Sequence, residues 1–227
     1  MEGEPRMAKP EGGRLWNSRA SRVVAELLVI FVGVTAAFVV EGYRERLNDA
    51  QELRQARGGI LAELARYQVR AAEHADSIDA SIGRWRAVDA DGGRSVPGYY
   101  RIPGAPYPPT AAWDAAVASG VASMFEPELG LALGYFYTEL TGIHDNYVRR
   151  LAFIEDVIMP TLDRGAGAFY DSSGSIRPEF RVYMLLMGEF AADLHRIVER
   201  AEFLEEWLRS GDRPEEQMRA LSNDGFS

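Results

Sequence analysis

Beyond its 34 aspartates and glutamates, this 227-residue chain has few residues with the chemistry to hold a metal or move a proton. Its three histidines are His74, His144 and His195, and it contains no cysteine. The missing thiols exclude disulfides, thiolate metal sites and cysteine nucleophiles. A carboxylate-rich metal centre in a helical bundle needs Glu-x-x-His on an inward face. Ala71, Thr141 and Ala192 stand where that acid would be required. Asp145 and Asp193 lie at offsets that do not share a helix face with their histidines, so each histidine reads as an ordinary surface or core residue. The sequence has no phosphate-cradling glycine loop, nucleophile elbow or His-Glu-x-x-His zinc motif. Gly165-Ala-Gly167 reads as a turn, and Glu202, Glu205, Glu206, Glu215 and Glu216 read as solvated helix faces. The chain is therefore read as non-enzymatic, with no catalytic residue, metal ligand or cofactor.

What remains is recognition chemistry. Tyr99, Tyr100, Tyr107 and Trp113 lie in or beside a proline-rich segment, with Ser119-Gly120 just beyond. Exposed aromatics among prolines suit a surface that grips a peptide or another protein. The plainer reading, and the preferred one, is that they pack the loop onto the end of a bundle. A different arrangement would place Trp113, Tyr135 and Tyr147 around a pocket for a small ligand.

One acid stands where acids are costly. The run from Val23 to Val40 is apolar except for Glu26. It has about the ~20 residues needed to cross a ~30 Å hydrocarbon core. An intramembrane carboxylate is by default functional. Glu26, however, lies four residues after Arg22, where the two can pair at headgroup depth, and this interfacial reading is preferred. Gly33 and Ala37 form a small-x-x-x-small pair that lets two membrane helices approach closely, which admits a homodimer through the anchor and the stalk after it. The basic residues Arg6, Lys9, Arg14, Arg19 and Arg22 before the run narrowly outweigh Arg44, Arg46, Arg54 and Arg57 after it. This predicts a cytoplasmic N-terminus, a signal anchor in the inner membrane and a periplasmic remainder. A cleaved signal peptide competes, since Val34-Thr-Ala36 and Thr35-Ala-Ala37 resemble cleavage sites, but the apolar run continues past both.

The elements that must position these residues are helical throughout. Ile60, Leu64, Tyr67, Ala71, Ala75, Ile78, Ile82 and Trp85 recur at steps of three and four, a single apolar stripe. Asp91-Gly92-Gly93 should end that helix, and the prolines over 92–109 exclude both helix and central strand. Thr110 is the expected N-cap of a short helix reaching about Ser123. Pro127 suits the first turn of the next helix, whose inward residues Leu129, Leu133, Phe136, Leu140, Ile143, Tyr147, Leu151, Ile154 and Ile158 lead to Pro160. A loop follows over 165–174. The last long helix runs from Pro178 to Ser210, facing inward with Tyr183, Leu186, Phe190, Leu194, Ile197, Ala201, Leu204 and Leu208.

The expected architecture is all-α: a basic tail over 1–22, a transmembrane helix over 23–43 and a helical stalk over 44–59 that Gly58-Gly59 can bend. An antiparallel helical bundle over 60–211, with the proline/aromatic loop over 92–109, and a tail over 212–227 complete it. Apolar residues make up 47% of the chain, enough for a core, and the formal net charge of −9 argues against nucleic acid as a partner. The expected partners are the lipid bilayer, a second copy of the chain and an envelope protein.

Two segments carry a resemblance. Glu26-Leu-Leu-Val-Ile-Phe-Val-Gly-Val-Thr-Ala-Ala-Phe-Val-Val-Glu-Gly-Tyr-Arg-Glu-Arg46 opens with an acid, has a mid-helix glycine and leaves through an aromatic and charges. Ala112-Trp-Asp-Ala-Ala-Val-Ala-Ser-Gly-Val-Ala-Ser-Met-Phe125, followed by Pro127-Glu-Leu and Tyr135-Phe-Tyr137, forms a short helix, a Ser-Gly turn and an aromatic helix. Together they resemble an uncharacterised bacterial family of single-pass membrane proteins with a helical C-terminal domain of unknown function. The likeness extends from Glu26 to about Ile158. It departs at the membrane exit, where Val40-Glu-Gly-Tyr43 replaces an amide-rich stretch ending in tryptophan. The resemblance implies this architecture and no activity.

Overall fold

The computed structural model describes residues 14–102, 107–211 and 214, with side chains from Arg22 onward. Most of the tail over 1–22, with Arg6, Lys9 and the side chains of Arg14 and Arg19, lies outside the described residues. So do loop residues 103–106 and nearly all of the tail over 212–227. The chain forms two compact units, Met1–Gln51 and Glu52–Ser227, and its first helix, α1 (Arg14–Ala90), contributes to both.

In the first unit, residues 23 to 40 are exposed on every face. None of the most apolar stretch is buried by protein, and it is long and apolar enough to cross a membrane. Arg22 and Glu26 lie 3.5 Å apart, the expected pairing one helical turn apart. Gly33 has open space around it.

The second unit is all-α. It holds the rest of α1 with α2 (Ala111–Ala118), α3 (Pro127–Phe153), α4 (Met159–Leu162) and α5 (Pro178–Ser210). Among the described residues the one β pairing is an isolated bridge between Tyr170 and Ile176. The stripe from Ile60 through Ile82 is buried at every position named for it, and Trp85 packs against its edge. Each Ile or Leu of the stripe contributes roughly 1.5–3 kcal/mol when fully buried. On α5, Leu186 faces outward and Met184 and Met187 fill the core instead. The expected inward position is thus wrong by one residue, because the helix buries a wide face at its N-terminal end.

Pairs across the interfaces fix the helix directions. Gln68 meets Glu205 and Asp79 meets His195, so α5 runs antiparallel to α1. Glu139 meets Arg200, Tyr147 stacks on Phe190 and Phe153 on Tyr183, so α5 is also antiparallel to α3. It follows that α1 and α3 run in the same direction, and the segment between them must carry the chain back along the bundle. From Glu63 to Ala90, α1 rises about 40 Å at ~1.5 Å per residue, a distance that extended chain at ~3.3 Å per residue covers in about a dozen residues.

The proline-rich crossover does this, held down at four places. The Tyr170 hydroxyl accepts from Ser95 N–H at 3.2 Å and donates to Ser95 C=O at 2.8 Å, while Trp85 Nε1 donates to it at 3.3 Å. Gly98 lies so close to α1 that a Cβ there would sit 2.9 Å from the Ser81 carbonyl. Tyr100 bonds His74, and the Tyr147 hydroxyl accepts from Ile102 N–H at 2.6 Å.

At the far end of the crossover, Thr110 occupies the N-cap of α2, but its hydroxyl donates to Asp114 and caps nothing. The cap comes from α1: Glu63, 5% exposed, accepts from Ala112 N–H at 2.6 Å and from the Tyr137 hydroxyl at 2.9 Å. One turn earlier the helix continues unbroken through Gly58-Gly59, where a Cβ on Gly59 would lie 2.9 Å from Ala112 Cβ. Gly59 therefore permits close approach of α2. That helix ends at Ala118 rather than near Ser123, because Gly120 turns left-handed (φ 81°) into a 3₁₀ turn, Val121–Met124.

Other boundaries follow local chemistry. Gly92 (φ 73°) and Gly93 donate to Asp89 and Val88 carbonyls, a Schellman motif closing α1. Gly211 (φ 80°) donates to Trp207 and closes α5. Pro127 and Pro178 open α3 and α5. Pro160 does not end its helix: a π-helical segment, Ile154–Ile158, loosens the ladder just before it, and helix resumes through Leu162.

Candidate functional site

The crossover roofs a cavity of about 90 Å³ in the second unit. Successive turns of α1 supply Tyr67, Arg70, Ala71 and His74. From α3 come Leu140, Ile143, His144 and Tyr147, and from α5 Phe190 and Leu194. The crossover adds Ile102 and Tyr107-Pro-Pro109. Because α1 and α3 run parallel, residues far apart in sequence converge here from matching levels of both helices.

Several polar groups at or beside this site are held in their neutral forms by burial. Burial lowers the His74 pKa below its usual value, with Arg70 adding to this and Glu73 opposing it. Burial likewise raises the Tyr100 and Tyr147 hydroxyls, and lifts Tyr67 far above its ordinary range with the help of Glu139. A neutral imidazole and neutral phenols can hydrogen-bond a guest while leaving its charge unchanged. His144 is 9% exposed, and its ring lies 4.3 Å, centroid to centroid, from the ring of Tyr107. Among the described residues no group of three or more His, Asp or Glu is placed to hold a metal ion.

The aromatic residues singled out from the sequence separate in the structure. Tyr99, Tyr100 and Trp113 are half-buried and pack against the core. Trp113 stacks on Tyr137 with ring centroids 5.4 Å apart. Only Tyr107, 76% exposed, offers most of its surface to solvent. Of the three aromatics expected around a pocket, Tyr147 lines the cavity, Trp113 does not, and Tyr135 points outward. Arg70, His74, His144 and Tyr107 were missed as pocket residues. Two spacings carried a signal: Arg70 and His74 are one turn apart on α1, and His144 and Tyr147 one turn apart on α3, each beside an apolar stripe.

A second, shallower feature is an apolar groove between α3 and α5, lined by Arg149, Phe153, Pro178, Val182 and Leu186. Comparison with protein-family models, with curated proteins and with solved structures finds no match to this chain.

Proposed function

We propose that this chain is a single-pass protein of the bacterial inner membrane, its helical domain in the periplasm, acting through protein contacts as a scaffold, assembly factor or sensor subunit. The observation that carries this reading is the apolar stretch of α1, which the protein leaves exposed on all sides. A surface of that kind is stable in lipid and aggregates in water. The α3/α5 groove, with Val182 and Leu185 beside it 55% and 65% exposed, supports contact with another protein. Self-association through the anchor, with Gly33 and Ala37 at the contact, is the first interaction to test, and an envelope protein is the second. Carbonate extraction of membranes tests the anchor, and protease treatment of spheroplasts tests the side. The reading requires the domain to stay with the membrane and to be digested from outside. Release by carbonate refutes the anchor, and protection from protease refutes the orientation. Proximity labelling from a C-terminal fusion would then name the partners.

The cavity favours a second reading, a domain that senses a small ligand and passes the signal to a partner.

A further inference from the structure

We propose that the cavity beneath the crossover binds a small aromatic carboxylate, its ring between the apolar walls and its carboxylate held by His144 and Arg70. The inference rests on the ligand-sensing reading and is independent of the protein contacts and the membrane side.

The first observation is His144. It lines the cavity with its ring against that of Tyr107, and among the described residues it makes no hydrogen bond. With 9% of the residue still exposed and its ring lining the cavity, this imidazole is open to a hydrogen-bonding guest. The second is Arg70, exposed at the rim and without an ion pair among the described residues. A guanidinium and an imidazole that line one cavity with apolar walls offer donors to an anion with an apolar body.

The third observation is the interior itself. Leu140, Ile143, Phe190 and Leu194 with the rings of Tyr67 and Tyr147 form its walls, and flat aromatic walls favour a flat guest. The cavity of about 90 Å³ is several times what one water needs, about 10–15 Å³. It is far below the ~300 Å³ at which pockets for larger ligands begin. That size suits a single ring whose charged end remains at the mouth, where Tyr107 is open to solvent.

The test uses the full chain in lipid nanodiscs, with benzoate as the probe, benzyl alcohol as its neutral counterpart, and binding read by titration calorimetry. The expected result is saturable benzoate binding at least tenfold tighter than that of benzyl alcohol. Arg70→Gln, an exposed substitution that leaves the fold alone, should weaken benzoate about tenfold. Ile143→Trp, which fills the cavity, should abolish binding of both probes, with circular dichroism confirming its helix content. Equal binding of the two probes, lost in Ile143→Trp, overturns the carboxylate and keeps the ligand-sensing reading. Absence of saturable binding by either probe overturns both. So does binding that neither substitution alters, which marks partition into lipid.

Discussion

The removal of Glu63 provides the sharpest test of how the second unit is held together. This carboxylate is buried and accepts two hydrogen bonds, from the second residue of α2 and from the Tyr137 hydroxyl. Hydrogen bonds to a charged acceptor contribute about 1.5–3 kcal/mol each. Two of them amount to about 3–6 kcal/mol, which the cost of burying the carboxylate partly offsets. The Glu63→Ala variant leaves both donors buried and unmet, and the expected net loss is about 3 kcal/mol, comparable to breaking other buried polar pairs. For a domain of this size that corresponds to about 6–12 °C in Tm. Glu63→Gln retains one acceptor oxygen and should lose about 1 kcal/mol. Thermal and urea unfolding in mild detergent, followed by far-ultraviolet circular dichroism and by tryptophan fluorescence, would measure both. A double-mutant cycle with Tyr137→Phe isolates one of the bonds and should give a coupling of about 1–2 kcal/mol. If Glu63→Ala falls within about 0.5 kcal/mol of the parent, the range of an ordinary surface substitution, a cap supplied from α1 is the wrong account of how α2 docks.

Three further outcomes are expected. Gly58→Ala should stabilise the protein by up to about 1 kcal/mol through helix propensity, since a Cβ there meets nothing within 4 Å, whereas Gly59→Ala should destabilise it because its Cβ would strike Ala112; equal unfolding midpoints for the two variants would contradict the close approach. Tyr170→Phe strips the hydroxyl that ties Ser95 and Trp85 together and should cost about 1–2 kcal/mol, with faster proteolysis between residues 92 and 109; an unchanged cleavage rate would show the crossover is held elsewhere. Because burial holds the folded His74 pKa below its unfolded value, the unfolded state binds more protons as pH drops below about 6.5, and stability falls there. His74→Gln should remove that part of the decline in melts between pH 7.5 and 5.5, and identical slopes for variant and parent would refute the assignment.

Periodicity made the helices legible because a buried face repeats every turn. The α1 stripe, the proline starts at Pro127 and Pro178, and the glycine stops at Gly92 and Gly211 all follow from side-chain size and backbone freedom, which are local properties. The failures came where a distant residue replaced a local one. Thr110 has the right chemistry to cap α2, but Glu63, nearly fifty residues away, takes that role. Pro160 should break a helix, and the turn before it widens instead. The cavity could not be read because it depends on α1 and α3 running parallel, and no spacing along the chain records the direction in which a crossover returns. Tyr107 and His144 meet only through that route.

The same crossover constrains the order in which the domain can be made. α1 and α3 each bury one side against α5, which is the last of the three to leave the ribosome. Until it arrives, the two earlier helices share a half-finished interior, with Met187, Phe190, Ile197 and Leu204 still to be supplied. The domain therefore closes in one late step of synthesis, and a chain stalled before Pro178 would present to chaperones and proteases the surface that the finished molecule hides.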